Sequence, residues 1–565
     1  MHAELPAVVR CALAFLAALA PGLSEAASVL QARDADVPGC MRTEVLGADA
    51  ELEARAARIG GIEFTVGDVF DVAGRDGDRA LFRAANHLHP ATREATLRAQ
   101  LLFGPGELYR RRVLDETERS LRRLRYLYDA QLEPVRYHPA SNAVDVRVCT
   151  RDVWTLSPGV SFGRGGGENS FGFEIEDYNV LGSGQSLTLA RRTNVDRSTT
   201  IFSWNAPTVR GTRWQVSADY HISTDGGLRA LDVSRPFYSL ETRRALGAAV
   251  LDSDATTRLY RAGEPAFEFA AARREAEVWL GGSGGLEGGW VQRYRVGWTF
   301  DERRFARLPE SPLGGPAQGD LPPDRRLSYP WIGVQWIEDG YAETHDVDQI
   351  GRTEDMNLGF AGDVRAGVAT TALGSDRDAL VLEGAASWSG SLRPEQLLSV
   401  EAGLGTRVED GGTRDTDAQL AARTYWRWSS RWMSFAGIET RWTRDLDPDQ
   451  QVLLGGDNGL RGYPLRFVEG RSAALLTLEQ RLFTAWEPLR LCRVGGAVFF
   501  DAGRTWGGLD APDAGRWLKD VGVGLRLGNS RSSRGSVIHI DVAVPLDATD
   551  RVDGVQVLIK TKASF

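Results

Sequence analysis

From residue 157 to the last residue, Phe565, the chain is written in short stretches where apolar and polar side chains alternate. Residues 169–176, 186–191, 214–220 and 294–300 show the pattern most clearly, and clusters of Gly, Asn, Asp and Pro separate such stretches. A period of two sends successive side chains to opposite faces of a strand, and the clusters turn the chain back on itself. Composition agrees, because 63 glycines and 16 tryptophans beside only 4 methionines suit a strand-rich chain with tight turns. Beyond the N-terminal region no run of roughly 18 apolar residues occurs, so no membrane-spanning helix is predicted. A β-barrel crosses a membrane without one, on alternating segments of about ten residues. At roughly 25 residues per strand and connection, the 409 residues from 157 to 565 predict a roughly 16-stranded antiparallel transmembrane β-barrel, making the chain mainly β. Short connections such as 484–488 would face the periplasm and long ones such as 307–326 the exterior. Trp204, Trp214, Trp290, Trp298, Trp331, Trp336, Trp426, Trp428, Trp432 and Trp442 fall near expected strand ends, where aromatic girdles meet lipid interfaces.

Ahead of the barrel, residues 8–20 form a short apolar run, and small residues follow up to Ala26. The run is too short to span a bilayer and predicts a signal peptide over residues 1–26, followed by an N-terminal segment over 27–57. Export would place the mature chain in an oxidising compartment. Of the four cysteines, Cys11 leaves with the signal. Cys40 and Cys149 can form a disulfide or stand as two buried thiols, and Cys492 is left over. A formal net charge of -9, with no basic stripe interleaved with aromatics, argues against a nucleic-acid partner.

Residues 58–152 read as one small N-terminal α+β domain. Residues 59–66 alternate as a strand. A helical stretch carries Thr92, Thr96, Leu97, Leu101 and Leu102. Leu114, Thr117, Leu121, Leu124 and Tyr128 then recur at spacings of three and four, the mark of an amphipathic helix. Residues 130–135 and 143–148 complete a β-α-α-β-β order. The span from Gly67 to Pro90 is longer than that order needs.

Near the C-terminal end lies a glycine-rich loop, residues 453–464, with one arginine at its tip: Gly459, Leu460, Arg461, Gly462, Tyr463. Its Leu453, Leu454, Leu460 and Tyr463 suggest that it folds inward and packs, and a guanidinium carried inward must find carboxylates. Alternation puts Glu479 and Asp501 on the polar faces of the next two strands. In the final strand Val555, Val557, Ile559, Thr561, Ala563 and Phe565 share a face, with Gln556, Lys560, Lys562 and Ser564 opposite.

Together these stretches resemble the outer-membrane assembly-factor and two-partner-secretion superfamily, the BamA/TamA-type barrels. Arg461-Gly462-Tyr463 matches that family's loop signature, and Phe499, Asp501 and Gly503 match its Phe-x-Asp-x-Gly strand. The resemblance implies that the loop enters the lumen and that Arg461 meets Asp501 and Glu479 on the inner wall as a lock. It also implies that Phe565 ends a signal for barrel insertion. Residues 58–152 look like one polypeptide-transport-associated (POTRA) repeat, on Gly106, Tyr109, Glu118, Leu121 and Arg122. Residues 177–184 are also family-like and would ease the bend at the first barrel hairpin.

Catalytic signals are absent. Residues 163–167 are glycine-rich but lack the Lys-Ser/Thr of a phosphate loop, so a strand end is the better reading. His87 and His89 have no third ligand at useful spacing. No catalytic residue, metal or cofactor is predicted, and the chain is read as a non-enzyme. The resemblance implies insertion or translocation of polypeptides across a bacterial outer membrane, with the N-terminal domain in the periplasm. Partners would be unfolded outer-membrane or secreted polypeptides, outer-membrane lipid and accessory periplasmic proteins. A passive channel for small solutes and a surface antigen or adhesin are the alternatives.

Overall fold

The computed structural model describes residues 48–72, 79–308, 321–347, 349–350, 352–393, 395–507, 515–529, 531, 537–547, 551–552 and 554–562. The signal-peptide segment, Cys40 and Phe565 lie outside the described residues.

The N-terminal unit comprises α1 (Asp49–Ala54), β1 (Arg58–Gly67), α2 (Ala80–Leu88), α3 (Glu94–Arg98), α4 (Arg111–Arg122), β2 (Leu127–His138) and β3 (Ala143–Asp152). Its sheet has the order β1-β3-β2, with β1 parallel and β2 antiparallel to β3. Leu114, Thr117 and Leu121 share the buried face of α4, as their spacing dictates, and the core joins Leu114 and Leu121 to Val144, Val146 and Val148. Leu52 of α1 belongs to the same core, so the packed unit starts ahead of Arg58. Tyr128 lies in β2 rather than on the helix. The long span after Gly67 contains α2, whose Phe82 stacks on Phe70 with ring centroids 4.3 Å apart, beside Trp154.

Next come β4 (Leu156–Gly165), β5 (Glu168–Asp177), β6 (Ser186–Thr193), β7 (Ser198–Ala206), β8 (Gln215–Ser223), β9 (Gly226–Arg235), β10 (Arg244–Arg261), β11 (Glu264–Glu287), β12 (Trp290–Ala306) and β13 (Arg325–Glu338). A small hairpin, β14 (Tyr341–His345) and β15 (Thr353–Asn357), interrupts the series. It resumes with β16 (Phe360–Ala369), β17 (Ala379–Arg393), β18 (Gln396–Glu409), β19 (Gly412–Arg427) and β20 (Trp432–Arg444). A short ribbon, β21 (Val452–Leu454) with β22 (Val468–Gly470), precedes β23 (Ser472–Phe483), β24 (Cys492–Trp506), β25 (Leu518–Asn529), β26 (Val537–Pro545) and β27 (Gln556–Lys562).

Apart from the hairpin and the ribbon, the strands from β4 onward close into one antiparallel barrel of 20 strands. This corrects the expected 16-stranded barrel. Several turns hold only two residues, such as Gly166-Gly167 and Ala262-Gly263, so a strand with its connection takes fewer residues than assumed. Outward-facing Val160, Phe171, Val278, Ile332, Val498 and Val523 are all more than half exposed. Inward-facing side chains pair instead: Arg423 bonds Glu401 at 3.2 Å and Glu439 at 3.0 Å, and Arg365 bonds Glu277 at 2.7 Å. An apolar outside around a charged lumen is stable only with hydrocarbon around it, so the barrel spans a membrane. Trp331 departs from the expected girdle. It faces inward, 3% exposed, and donates its indole N–H to Thr299 at 3.0 Å.

The two named connections lie on the expected ends, that of β23–β24 at the N-terminal-domain end and that of β12–β13 at the far end, but length does not sort the rest. At the N-terminal-domain end, the stretch from β13 to β16 is long and carries the β14–β15 hairpin, while the far end has several two-residue turns.

Residues 177–184, expected to ease a bend, also dock the N-terminal domain. Thr96 Oγ1 and the Arg93 N–H both donate to Gly182 O, at 2.8 and 3.1 Å, and Asn179 donates to Thr92 Oγ1 at 2.8 Å. Gly182 has φ +74°, and a Cβ there would stand 2.3 Å from Ala91 O. A side chain at positive φ costs roughly 1–2 kcal/mol before any clash. Gly182→Val is therefore expected to undock the domain and to speed hydrogen exchange over residues 91–97 by at least about tenfold, read by mass spectrometry of the intact protein.

Candidate functional site

The loop between β20 and β23 is drawn in at a neck formed by β21 and β22. Beyond it, Leu454, Leu460, Tyr463 and Phe467 pack with Leu518 of β25, so the loop's apolar residues anchor it inside the barrel. That packing delivers Arg461 to the inner wall, where it is 6% exposed. Its Nε and Nη2 donate to the two oxygens of Asp501 at 2.6 and 2.8 Å, a side-on bidentate pair. Nη1 donates to Glu479 at 2.8 Å and lies 3.7 Å from Asp541. The guanidinium carbon stands 3.4 Å from the ring centre of Phe499, so cation–π attraction adds to the ion pairs.

The other site residues allow this approach. A Cβ on Gly459, where φ is +128°, would collide with Leu475, and one on Gly462 would stand 2.6 Å from the Asp520 Cβ. A Cβ on Gly503 would stand 2.7 Å from Leu454. Tyr463 donates its hydroxyl to Lys519 O at 3.0 Å, tying the loop to β25.

Of the predicted site residues, Gly459, Arg461, Gly462, Tyr463, Glu479, Phe499, Asp501 and Gly503 thus come together. Cys149 lies elsewhere, on β3, and is disulfide-bonded; Cys40, the candidate partner, lies outside the described residues, as does Phe565. The cluster also contains residues not predicted as site residues. Arg481 donates to Glu479 at 2.9 Å, Arg526 to Asp541 at 2.5 Å, and Lys560 to Gly456 O at 2.6 Å. The available signal was charge at inward parity on strands that otherwise read as apolar.

Lys560 has a further consequence. It stands on the last barrel strand, while Gly456 of the loop lies against Gly166, at the tip of the β4–β5 turn. The loop therefore touches both sides of the junction where β27 meets β4. That junction is thin among the described residues, where Ile559 and Arg164 are the one paired position between the two strands, whereas β26 and β27 share seven. Below the loop, a lumenal cavity of about 980 Å³ is bounded by Ser161 and Gly163 of β4, Leu558 to Lys562 of β27, and Arg461 itself.

Neither a family model nor a curated protein matches the chain. Solved structures do. CdiB from Escherichia coli is 14% identical with a TM-score of 0.46, over 90% of this chain and 76% of that one. CdiB from Acinetobacter baumannii is 12% identical with a TM-score of 0.43, over 90% and 74%. BamA from Haemophilus ducreyi lacking POTRA domains 1-3 is 14% identical with a TM-score of 0.37, over 89% and 85%. TM-scores below 0.5 support no residue-by-residue comparison, so the site stands on its own distances.

In the N-terminal domain, α4 covers the outer edge of β2. The Leu132 N–H donates to Glu118 Oε1 at 2.6 Å, while Arg111 and Arg122 donate to Leu132 O and Ala130 O at 3.0 and 3.1 Å. Pro134 lacks an N–H, which suits an edge strand. Burial pushes the Glu118 carboxyl up to about 7, against the pull of Arg122 and Arg111. A raised carboxyl value means that the folded domain holds this proton more tightly than the unfolded chain. Stability from this group is full below the ordinary carboxyl value and is lost as pH rises through about 7. Glu118→Gln keeps an acceptor for Leu132 and is expected to weaken that slope, read as hydrogen exchange over 127–138 between about pH 5 and about pH 8.

Proposed function

We propose that the chain is an outer-membrane barrel that inserts or translocates polypeptides, with its N-terminal domain in the periplasm. The thin β27–β4 junction carries this reading. Among the described residues that seam is nearly unpaired, which a sealed pore has no reason to leave so, because each unpaired backbone group in hydrocarbon costs several kcal/mol by the usual estimate of about 2–7. An exchange partner can meet that cost, namely a client strand adding at the seam.

The mechanism has three parts. An extended polypeptide adds to the periplasmic sheet edge through backbone hydrogen bonds, so its sequence matters little. It then reaches the lumenal cavity beside β4 and β27. The Arg461 loop holds the inner wall of β23 to β26 in register while the seam opens, and no nucleotide is needed. With Arg461 paired, the loop also obstructs the pore.

A photo-crosslinking residue at Ser399, which lines the cavity, tests this directly, with lipid-facing Val498 as the control position. Transfer predicts adducts with other polypeptides at Ser399 and not at Val498. Adducts confined to the protein's own loop would count against transfer and favour a passive channel. If adducts are absent and deletion of the far-end loops abolishes adhesion alone, the surface-antigen reading is favoured.

A further inference from the structure

We propose that the hairpin between β13 and β16 is a plug closing the lumen at its periplasmic end, latched by an arginine that also covers the sheet edge where a polypeptide would add. The hairpin rises from the long connection at the N-terminal-domain end, and its tip enters the barrel. There Val347 and Ile350 pack among inward-facing Leu397, Tyr425, Met433, Phe483 and Val537. Arg481 donates to Val347 O at 3.2 Å and Arg427 to Asp346 O at 3.3 Å. Gly528 is bare where Ile350 passes, since a Cβ there would stand 2.9 Å from the Ile350 Cβ. Met356 of the hairpin forms part of the cavity wall opposite the Arg461 loop. The loop, the hairpin and the seam therefore all border this cavity.

The N-terminal domain grips this plug along its length, from Tyr341 at the base to Arg352 and Thr353 beside the tip. Arg122 donates to both oxygens of Asp355 at 2.8 and 2.6 Å and to Glu343 at 2.9 Å. Arg119 stacks on Tyr341 at 4.4 Å, Arg352 donates to Leu127 O at 2.5 Å, and Thr353 donates to Asp129 at 3.3 Å. The same Arg122 caps Ala130 O on the outer edge of β2. A strand adding to β2 takes that carbonyl for itself and must move α4's side chains aside, Arg122 among them. Occupation of the edge and retention of the plug thus compete for one guanidinium. This trigger rests on the polypeptide reading; the plug itself does not.

The test is ion conductance of the full chain in planar bilayers, comparing wild type, Arg122→Gln, Arg461→Ala and the double variant. Two closures in series predict single variants within about twofold of wild type and a double variant about tenfold higher, the population shift that loss of a charged hydrogen bond produces. Asp355→Asn in place of Arg122→Gln repeats the comparison without touching the N-terminal domain. The plug is overturned if Arg461→Ala alone conducts as well as the double variant, or if the double variant conducts no better than wild type. The trigger is read by adding a urea-unfolded outer-membrane barrel protein on the N-terminal-domain side of the Arg461→Ala protein. Conductance should rise about tenfold. A conducting double variant that ignores the unfolded protein overturns the trigger and leaves the plug standing.

Discussion

Arg461→Ala is expected to free the lumenal loop and to abolish client transfer while the protein is still inserted. Removing one partner of a buried pair costs about 3–5 kcal/mol, and here it strips a cation from Asp501 and Glu479, which are 0% and 8% exposed. The apolar anchors around Tyr463 and Phe467 keep the loop near its place but no longer fix its tip. Two measurements check this. Protease added to outer-membrane vesicles should cut within 455–467 in the variant and spare the wild type, and the variant's folded band should be lost at a lower temperature on semi-native gels. Arg461→Lys should recover only part of the loss, because an ammonium cannot make the side-on pair with Asp501. An unchanged digestion pattern in Arg461→Ala would mean that packing alone holds the loop.

Joining β4 to β27 covalently is expected to have an equally large effect with a different signature. Directly paired residues of an antiparallel ladder lie about 4.5–5.5 Å apart at Cα, within disulfide reach. Arg164→Cys with Ile559→Cys uses the pair recorded at the seam. The oxidised protein should fold, insert and lose transfer, and a reductant should restore it. The same bond placed between β26 and β27, at Ile540 and Ile559, should be harmless, because that pairing is continuous in any state. Full activity with the seam closed would show that clients do not leave sideways.

The barrel and the site were legible to different extents. Strict alternation predicted which side of each terminal strand faces the lumen, and hence that Glu479 and Asp501 could meet Arg461. Strand number was not legible, because it depends on turn length, and two-residue turns such as Ala262-Gly263 leave little mark between long alternating runs. Trp331 was misplaced because an indole suits a lipid interface, whereas here its N–H bonds Thr299 and its ring receives Arg365 at 5.0 Å inside the lumen. The docking role of residues 177–184 was invisible, since glycines that ease a bend and glycines that admit another backbone look alike until the second chain segment is placed. The plug was missed for a related reason. Val347 and Ile350 are isolated in a polar stretch, and only the closed barrel shows that both point at one apolar wall.

The central claim is polypeptide transfer, and the most direct measurement is a quantitative outer-membrane and secreted proteome of cells lacking this protein, complemented with wild type or with Arg461→Ala. The account predicts that one or more outer-membrane or secreted proteins fall in abundance, return with wild type and stay low with Arg461→Ala. Loss of many barrels would mark a general inserter, and loss of one or a few a dedicated transporter. Unchanged proteomes accompanied by altered small-solute uptake would contradict the account and make the barrel a channel.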